Sequence, residues 1–139
     1  MKINLKNNNI INIVELKDIK KTKIDRLLLI VNKNSNELNN NINYYIEKKI
    51  KSFFICSDND LLESKIDEII EDYSIQFDSE DYLEITTIKE DNFKDAIFIF
   101  LQDINNYGEL NICDTNNLII YDKNIINIDD IYSEINNNL

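Results

Sequence analysis

At 139 residues, 43% hydrophobic and 29% charged, the chain has the size and make-up of one globular domain. It has no His, Trp or Pro and a single Gly, Gly108. That inventory excludes His-based nucleophilic and acid–base chemistry and a glycine-rich phosphate loop. The net charge of −11 is split: residues 1–51 carry eleven Lys/Arg against five Asp/Glu (+6), and residues 52–139 carry four against twenty-one (−17).

Ile, Asn and Lys dominate the composition, a bias that an AT-rich coding sequence produces and that carries no functional meaning. The Asn runs at 7–9, 39–41 and 136–138 are too short for a prion-like segment. No stretch of eighteen apolar residues exists, so no spanning helix is expected. Met1–Lys6 lacks an apolar signal core, and the expectation is a cytoplasmic protein. Cys56 and Cys113 form no CxxC, which points to neither a disulfide framework nor a zinc site.

In chain order, Ile10–Val14 reads as an edge strand or an arm, leaving residues 1–22 the most open. Arg26–Val31 is a continuous apolar run, the pattern of a strand buried on both faces. Asn34 reads as an N-cap with Glu37 three residues on. Leu38, Ile42, Tyr45, Ile46 and Ile50 then follow at helical spacing, with Lys48, Lys49 and Lys51 in the last turn. Phe53–Cys56 is a second buried strand. Asp60 reads as the cap of a second helix, with Leu62, Ile66, Ile69, Ile70 and Tyr73 on one stripe and Glu63, Lys65, Asp67, Glu68, Glu71 and Asp72 opposite.

Tyr82–Ile88 is the third expected strand, rich in β-branched residues. Asp91 or Asn92 opens a third helix, whose run Ala96–Leu101 is apolar nearly all round and predicts the most buried helix. Gly108 sits where a C′ residue belongs. Leu110–Cys113 pairs with a fourth parallel-type strand, Leu118–Tyr121, through a turn at Asp114–Asn117. Asp129/Asp130 to Ile135 is a short terminal helix. Strands alternating with helices at this spacing predict a single three-layer, Rossmann-like α/β domain over residues 1–139. Its sheet is mostly parallel, with about four strands, possible extra edge strands, and helices on both faces.

From Arg26 to Asp122 this order resembles an uncharacterised family of small bacterial α/β domains. The likeness lies in the apolar first strand, the aromatic strand Phe53-Phe54-Ile55-Cys56, the acidic second helix and the Thr-Thr strand Ile85–Asp91. It extends through the helix Phe93…Ala96-Ile97-Phe98 to the strand Leu118–Tyr121. The family pattern has Trp and His after the Thr pair, where this chain has Ile88 and Lys89. The resemblance implies the fold and brings no activity with it.

Three sets of residues are candidates for chemistry. The turn after the first buried strand, Asn32–Ser35, has no glycine, so a pyrophosphate cannot approach its backbone and no nucleotide site is expected. Asp58, Asp60 and Glu63 lie at the carboxyl edge of the sheet, where open α/β sheets bind ligands, and offer hard oxygens to Mg²⁺. The plainer reading is a capped, solvated helix start. Cys56 precedes a helix N-terminus, but acids surround it and no His can serve as its base. It reads, like Cys113, as structural. Thr86 and Thr87 point to opposite faces and follow from β-propensity.

The third set is the acidic surface. Asp67, Glu68, Glu71 and Asp72, with Asp78, Glu80, Asp81 and Glu84 adjoining them in sequence, are dense enough to exceed what solubility needs, with Tyr73, Phe77 and Tyr82 interleaved as anchors. Such a face repels nucleic acid and anionic membrane and selects a basic protein. The expectation is a non-catalytic, cofactor-free acidic interaction protein, in its sharpest form an immunity-type protein that neutralises a basic toxin such as a nuclease. The alternatives are a metal-dependent enzyme on Asp58, Asp60 and Glu63, and a homo-oligomeric module pairing basic and acidic parts of two copies.

Overall fold

A computed structural model describes residues 1–106 and 114–139. The apolar run around Leu28 forms β3 (Arg26–Ile30), buried at every position, and it sits in the middle of the sheet. The other strands are β1 (Lys2–Asn4), β2 (Ile10–Glu15), β4 (Ser52–Cys56), β5 (Thr86–Glu90) and β6 (Asn116–Tyr121). They form one sheet in the order β1-β2-β6-β3-β4-β5; β1 runs antiparallel to β2, and every other neighbouring pair is parallel. Four helices complete the described chain: α1 (Asn36–Glu47), α2 (Asp60–Gln76), α3 (Phe93–Asn106) and α4 (Ile128–Asn137).

Alternation along the strands divides the core in two. Leu27, Leu29, Phe53, Ile55, Leu118 and Ile120 pack with Leu38, Ile42 and Tyr45 of α1 and with Leu62, Ile66 and Ile69 of α2. Leu28, Ile30, Phe54, Cys56, Ile119 and Tyr121 pack with Ile97, Phe100 and Ile104 of α3 and with Ile131 and Ile135 of α4. The chain moves outward from β3 through β4 to β5, then returns along α3 to β6 on the other side of β3. That reversal sets a crevice at the carboxyl ends of β3 and β6.

The sheet is larger than expected. Its parallel part has five strands rather than about four, because β2 pairs along its whole length with β6. Ile11 and Ile13 are fully buried there, so this segment is neither an edge nor an arm; β1 takes the edge. The third expected strand is displaced. Glu80–Glu84 is a 3-10 turn, started by Ser79 Oγ accepting the Asp81 N–H (3.3 Å), and β5 begins only at Thr86, in register with Ser52.

The caps of α1 and α2 shift by one residue. Ser35, not Asn34, caps α1 by accepting the Leu38 N–H (3.1 Å), and Asn59, not Asp60, caps α2 by accepting the Leu61 N–H (2.9 Å). Asn92, one of the two residues expected to open α3, does cap it, and Asn127 caps α4 two residues before Asp129. A cap residue needs extended backbone just before the helix, and Asn59 holds that conformation (φ −104°, ψ 109°) while Asp60 is already helical. α1 ends at Glu47, which puts Lys48, Lys49 and Lys51 beyond its last turn. α3 is not buried all round: Phe98 is 46% exposed. Gly108, Cys113 and the strand expected at 110–113 lie outside the described residues.

Candidate functional site

The exposed side of α2 carries Asp67, Glu68, Glu71 and Asp72, opposite the buried Ile66, Ile69 and Ile70. The helix ends by reversing. Asp78 enters the left-handed region (φ 47°) and donates its N–H to Ile75 O, and the Ser79 N–H reaches back to Ser74 O (3.1 Å). Ser74 Oγ donates to Ser79 O (2.8 Å) and ties the turn down. The next turn then folds back against the helix and brings three rings together. Tyr73 stacks on Phe77 (centroids 5.6 Å, 23°), Tyr82 lies 5.7 Å from Tyr73, and Phe77 lies 6.0 Å from Tyr82. Tyr73 and Tyr82 are half-buried, Phe77 is 52% exposed, and Ile75 and Leu83 beside them in sequence are exposed too. Asp78, Glu80 and Asp81 are exposed around this cluster. The Tyr73 hydroxyl is pushed up, first by burial and then by Glu47 and Tyr82.

The three anchors therefore meet in the fold, in the turn that also carries Asp78, Glu80 and Asp81, while Asp67, Glu68, Glu71 and Asp72 lie on the face of α2 opposite its buried stripe. Phe77, Asp81 and Tyr82, with Glu84 of the same acidic run, also line a cavity of about 400 Å³ whose walls from α1 and Ile85 were not foreseen. Lys49, Ile50 and Lys51 come from the end of α1, and Glu84 and Ile85 from the entry to β5. Parallel pairing of β4 with β5 makes this juxtaposition: the Thr86 N–H donates to Lys51 O (3.1 Å), so the residues before each strand lie side by side. The split of charge along the sequence is thus partly undone in space, since basic and acidic side chains face one cavity.

At the carboxyl edge the three carboxylates have different surroundings. Asp60 Oδ1 is 3.1 Å from Lys89 Nζ, which also contacts Asp91 Oδ1 (2.7 Å). Hydrogen bonds to Asp91 and then Asp60 raise the Lys89 pKa, so Asp60 already holds a cation. Asp58 instead lines the crevice of about 540 Å³ at the reversal point, with Cys56, Asp91 and Asp130, whereas Glu63 is not among its walls. Among the described residues, no group of three or more Cys, Asp or Glu is placed to hold a metal ion. Burial, then Asp91 and Asp58, push the Cys56 thiol up to about 11, with Lys89 opposing, so it is protonated near neutral pH. Thr86 is exposed, while Thr87 Oγ1 is buried with no partner among the described residues.

Sequence reasoning also missed a buried polar network at the amino edge of β3 and β6. Arg26, read as the start of an apolar run, is 2% exposed. Its Nε donates to Asp103 Oδ2 of α3 (2.6 Å), and its Nη1 lies 3.4 Å from Asn117 Oδ1. Asn117 Nδ2 donates to Ile10 O and Thr115 Oγ1, and Asn9 Oδ1 accepts from Thr115 N–H and Oγ1. Every member is bonded to another part of the fold, which marks the network as a structural tie between α3 and three strands.

A comparison with protein-family models, with curated proteins and with solved structures found no match. Among the described residues, no helix is long and apolar enough to cross a membrane.

Proposed function

We propose that this protein is a non-catalytic acidic interaction protein that docks a basic protein partner on α2 and the turn after it. One observation carries the reading: α2 ends without a basic residue and runs into a turn that holds three exposed acids and a pre-stacked ring cluster. A helix C-terminus carries partial negative charge and favours Lys or Arg. Here the last turn of α2 has no basic residue. Asp72 lies within a turn of that end, and Asp78, Glu80 and Asp81 follow it. Local rules broken in this way concentrate at functional sites. Exposed Phe77, and Leu83 next to Tyr82 in sequence, supply apolar surface there. In docked interfaces such residues carry affinity, while complementary charge speeds association and selects the partner.

The sharpest form of the proposal is an immunity-type protein that neutralises a basic toxin, such as a nuclease, in the cytoplasm. With it goes the finer description of the fold, a three-layer Rossmann-like domain of the small bacterial α/β family whose order of elements it resembles. The two core clusters, each holding two helices against the sheet, support that description.

The test is association kinetics with the partner recovered by pull-down from the source cell. Glu68→Lys, Glu71→Lys and Asp72→Lys together are expected to slow association by at least about tenfold at low salt, with the effect fading as screening rises. A charge-reversed protein that associates as fast as the parent would show that the acids only solvate the surface.

A further inference from the structure

The two helix ends that frame the 400 Å³ cavity define what it can hold. α1 leaves through Lys48–Lys51, α2 leaves through Phe77–Ser79, and both direct the negative ends of their dipoles to this corner of the sheet. Ile50 is buried and Ile85 half-buried in the lining, which supplies an apolar stretch. The Phe77 and Tyr82 rings, 6.0 Å apart and tilted by 38°, supply flat faces, and exposed Asp81 and Glu84 supply carboxylates.

We infer that this cavity receives an arginine side chain of the basic partner; the inference rests on the docking function proposed above. A guanidinium on a three-carbon stem uses each of these features. Its methylenes pack on Ile50 and Ile85, its plane stacks on a ring, and its fork of donors meets Asp81 and Glu84. Lys49 and Lys51 line the same cavity and set the selectivity. Lys51 Nζ is drawn toward Asp25 (4.0 Å), and Lys49 is exposed. Both still repel a bare point charge. An ammonium has no plane to stack and is strongly hydrated, so it gains less against that repulsion than a guanidinium does. A neutral aromatic side chain would bring no fork of donors to Asp81 and Glu84.

The probe is N-acetyl-L-arginine methylamide, titrated at low salt into the ¹⁵N-labelled full chain, with the blocked lysine and blocked tyrosine analogues for comparison. Saturable shifts are expected in the amides of residues 49–51 and 77–85, with arginine binding at least about threefold tighter than either analogue. Glu84→Gln and Tyr82→Leu should each weaken it at least about threefold. Glu84 is exposed, so its variant folds even where the ring substitution disturbs the turn. Equal affinity for arginine and lysine, tighter binding of tyrosine, or unsaturating shifts spread along residues 60–72 would overturn the inference. The two proposals fail separately. A cavity that ignores arginine while charge reversal still slows the partner removes only the cavity's role. A cavity that takes arginine while charge reversal leaves the partner unaffected removes only the docking face.

Discussion

Lys49 (φ 66°) and Asp78 (φ 47°) hold the left-handed backbone that ends a helix, each with the paired back-bonds of a reversed C-terminus. Glycine is the usual occupant, because a Cβ crowds the next carbonyl there. A chain with one glycine must place other residues at these turns and accept the strain. Lys49→Gly and Asp78→Gly should each raise stability by about 0.5–1 kcal/mol, read as a higher urea midpoint with unchanged slope. A lower midpoint for both would mean that their side chains, not their backbones, matter to the fold. The helix ends themselves were legible in part, since the apolar stripes stop near them. Of the caps, Asn92 was named as one of two choices, while those of α1 and α2 were missed by one residue, because Asn, Ser and Asp stand side by side and only backbone angles choose among them.

At the scale of an element, α3 shows how far periodicity reaches. Phe98 and Phe100 stand two apart, so they point about 160° apart, and a helix with one buried side can keep only one of them inside. Phe100 is fully buried and meets the Phe54 ring edge-on at 5.5 Å, while Phe98 is 46% exposed. Phe100→Ala should cost about 3–5 kcal/mol and Phe98→Ala under about 1 kcal/mol in chemical denaturation. Similar costs for the two would put a packing surface over Phe98. The same helix is tied to the sheet by Asp103 and Arg26. Removing one partner leaves the other charge poorly solvated, so Arg26→Ala should cost about 3–5 kcal/mol. Arg26→Ala with Asp103→Ala should cost less than the two single changes summed, as a double-mutant cycle would report. Full additivity would show that the pair is not coupled.

For the molecule as a whole, buried acids on both faces of the sheet set the alkaline limit, with Tyr45 and Cys56 shifted furthest and Tyr121 raised in the same direction by burial. Burial pushes Tyr45 up to about 12 from 10.0, with Tyr44 adding to it, and burial pushes Cys56 up to about 11 from 9.0. Each favours its neutral form in the folded state more than in the unfolded one. The stability each contributes is complete below its unfolded value and is lost as pH rises through its folded value. The urea midpoint should therefore hold steady up to about pH 9 and fall between about 9 and 12. Cys56→Ala and Tyr45→Phe should flatten that fall. A midpoint that declines equally in the double variant would place the titrating groups elsewhere.

The period of the apolar residues, read from sequence, was enough to determine four helices, most of the buried strands and the α/β class. These features depend on neighbours within one or two turns, which is the range over which side-chain spacing acts. The same reading also named the three rings that meet at the end of α2, because helix and turn keep them close along the chain. Only the tertiary structure decided that Ile10–Val14 lies inside the sheet, that Tyr82 belongs to a turn and not a strand, and that Asp60 is occupied by Lys89. It alone buried Arg26, whose partner Asp103 is 77 residues away. It alone opened the cavity between the ends of α1 and α2. Strand pairing and polar satisfaction are long-range conditions: an arginine or an edge-like strand is buried when a distant partner arrives to match it, and no local pattern records that arrival.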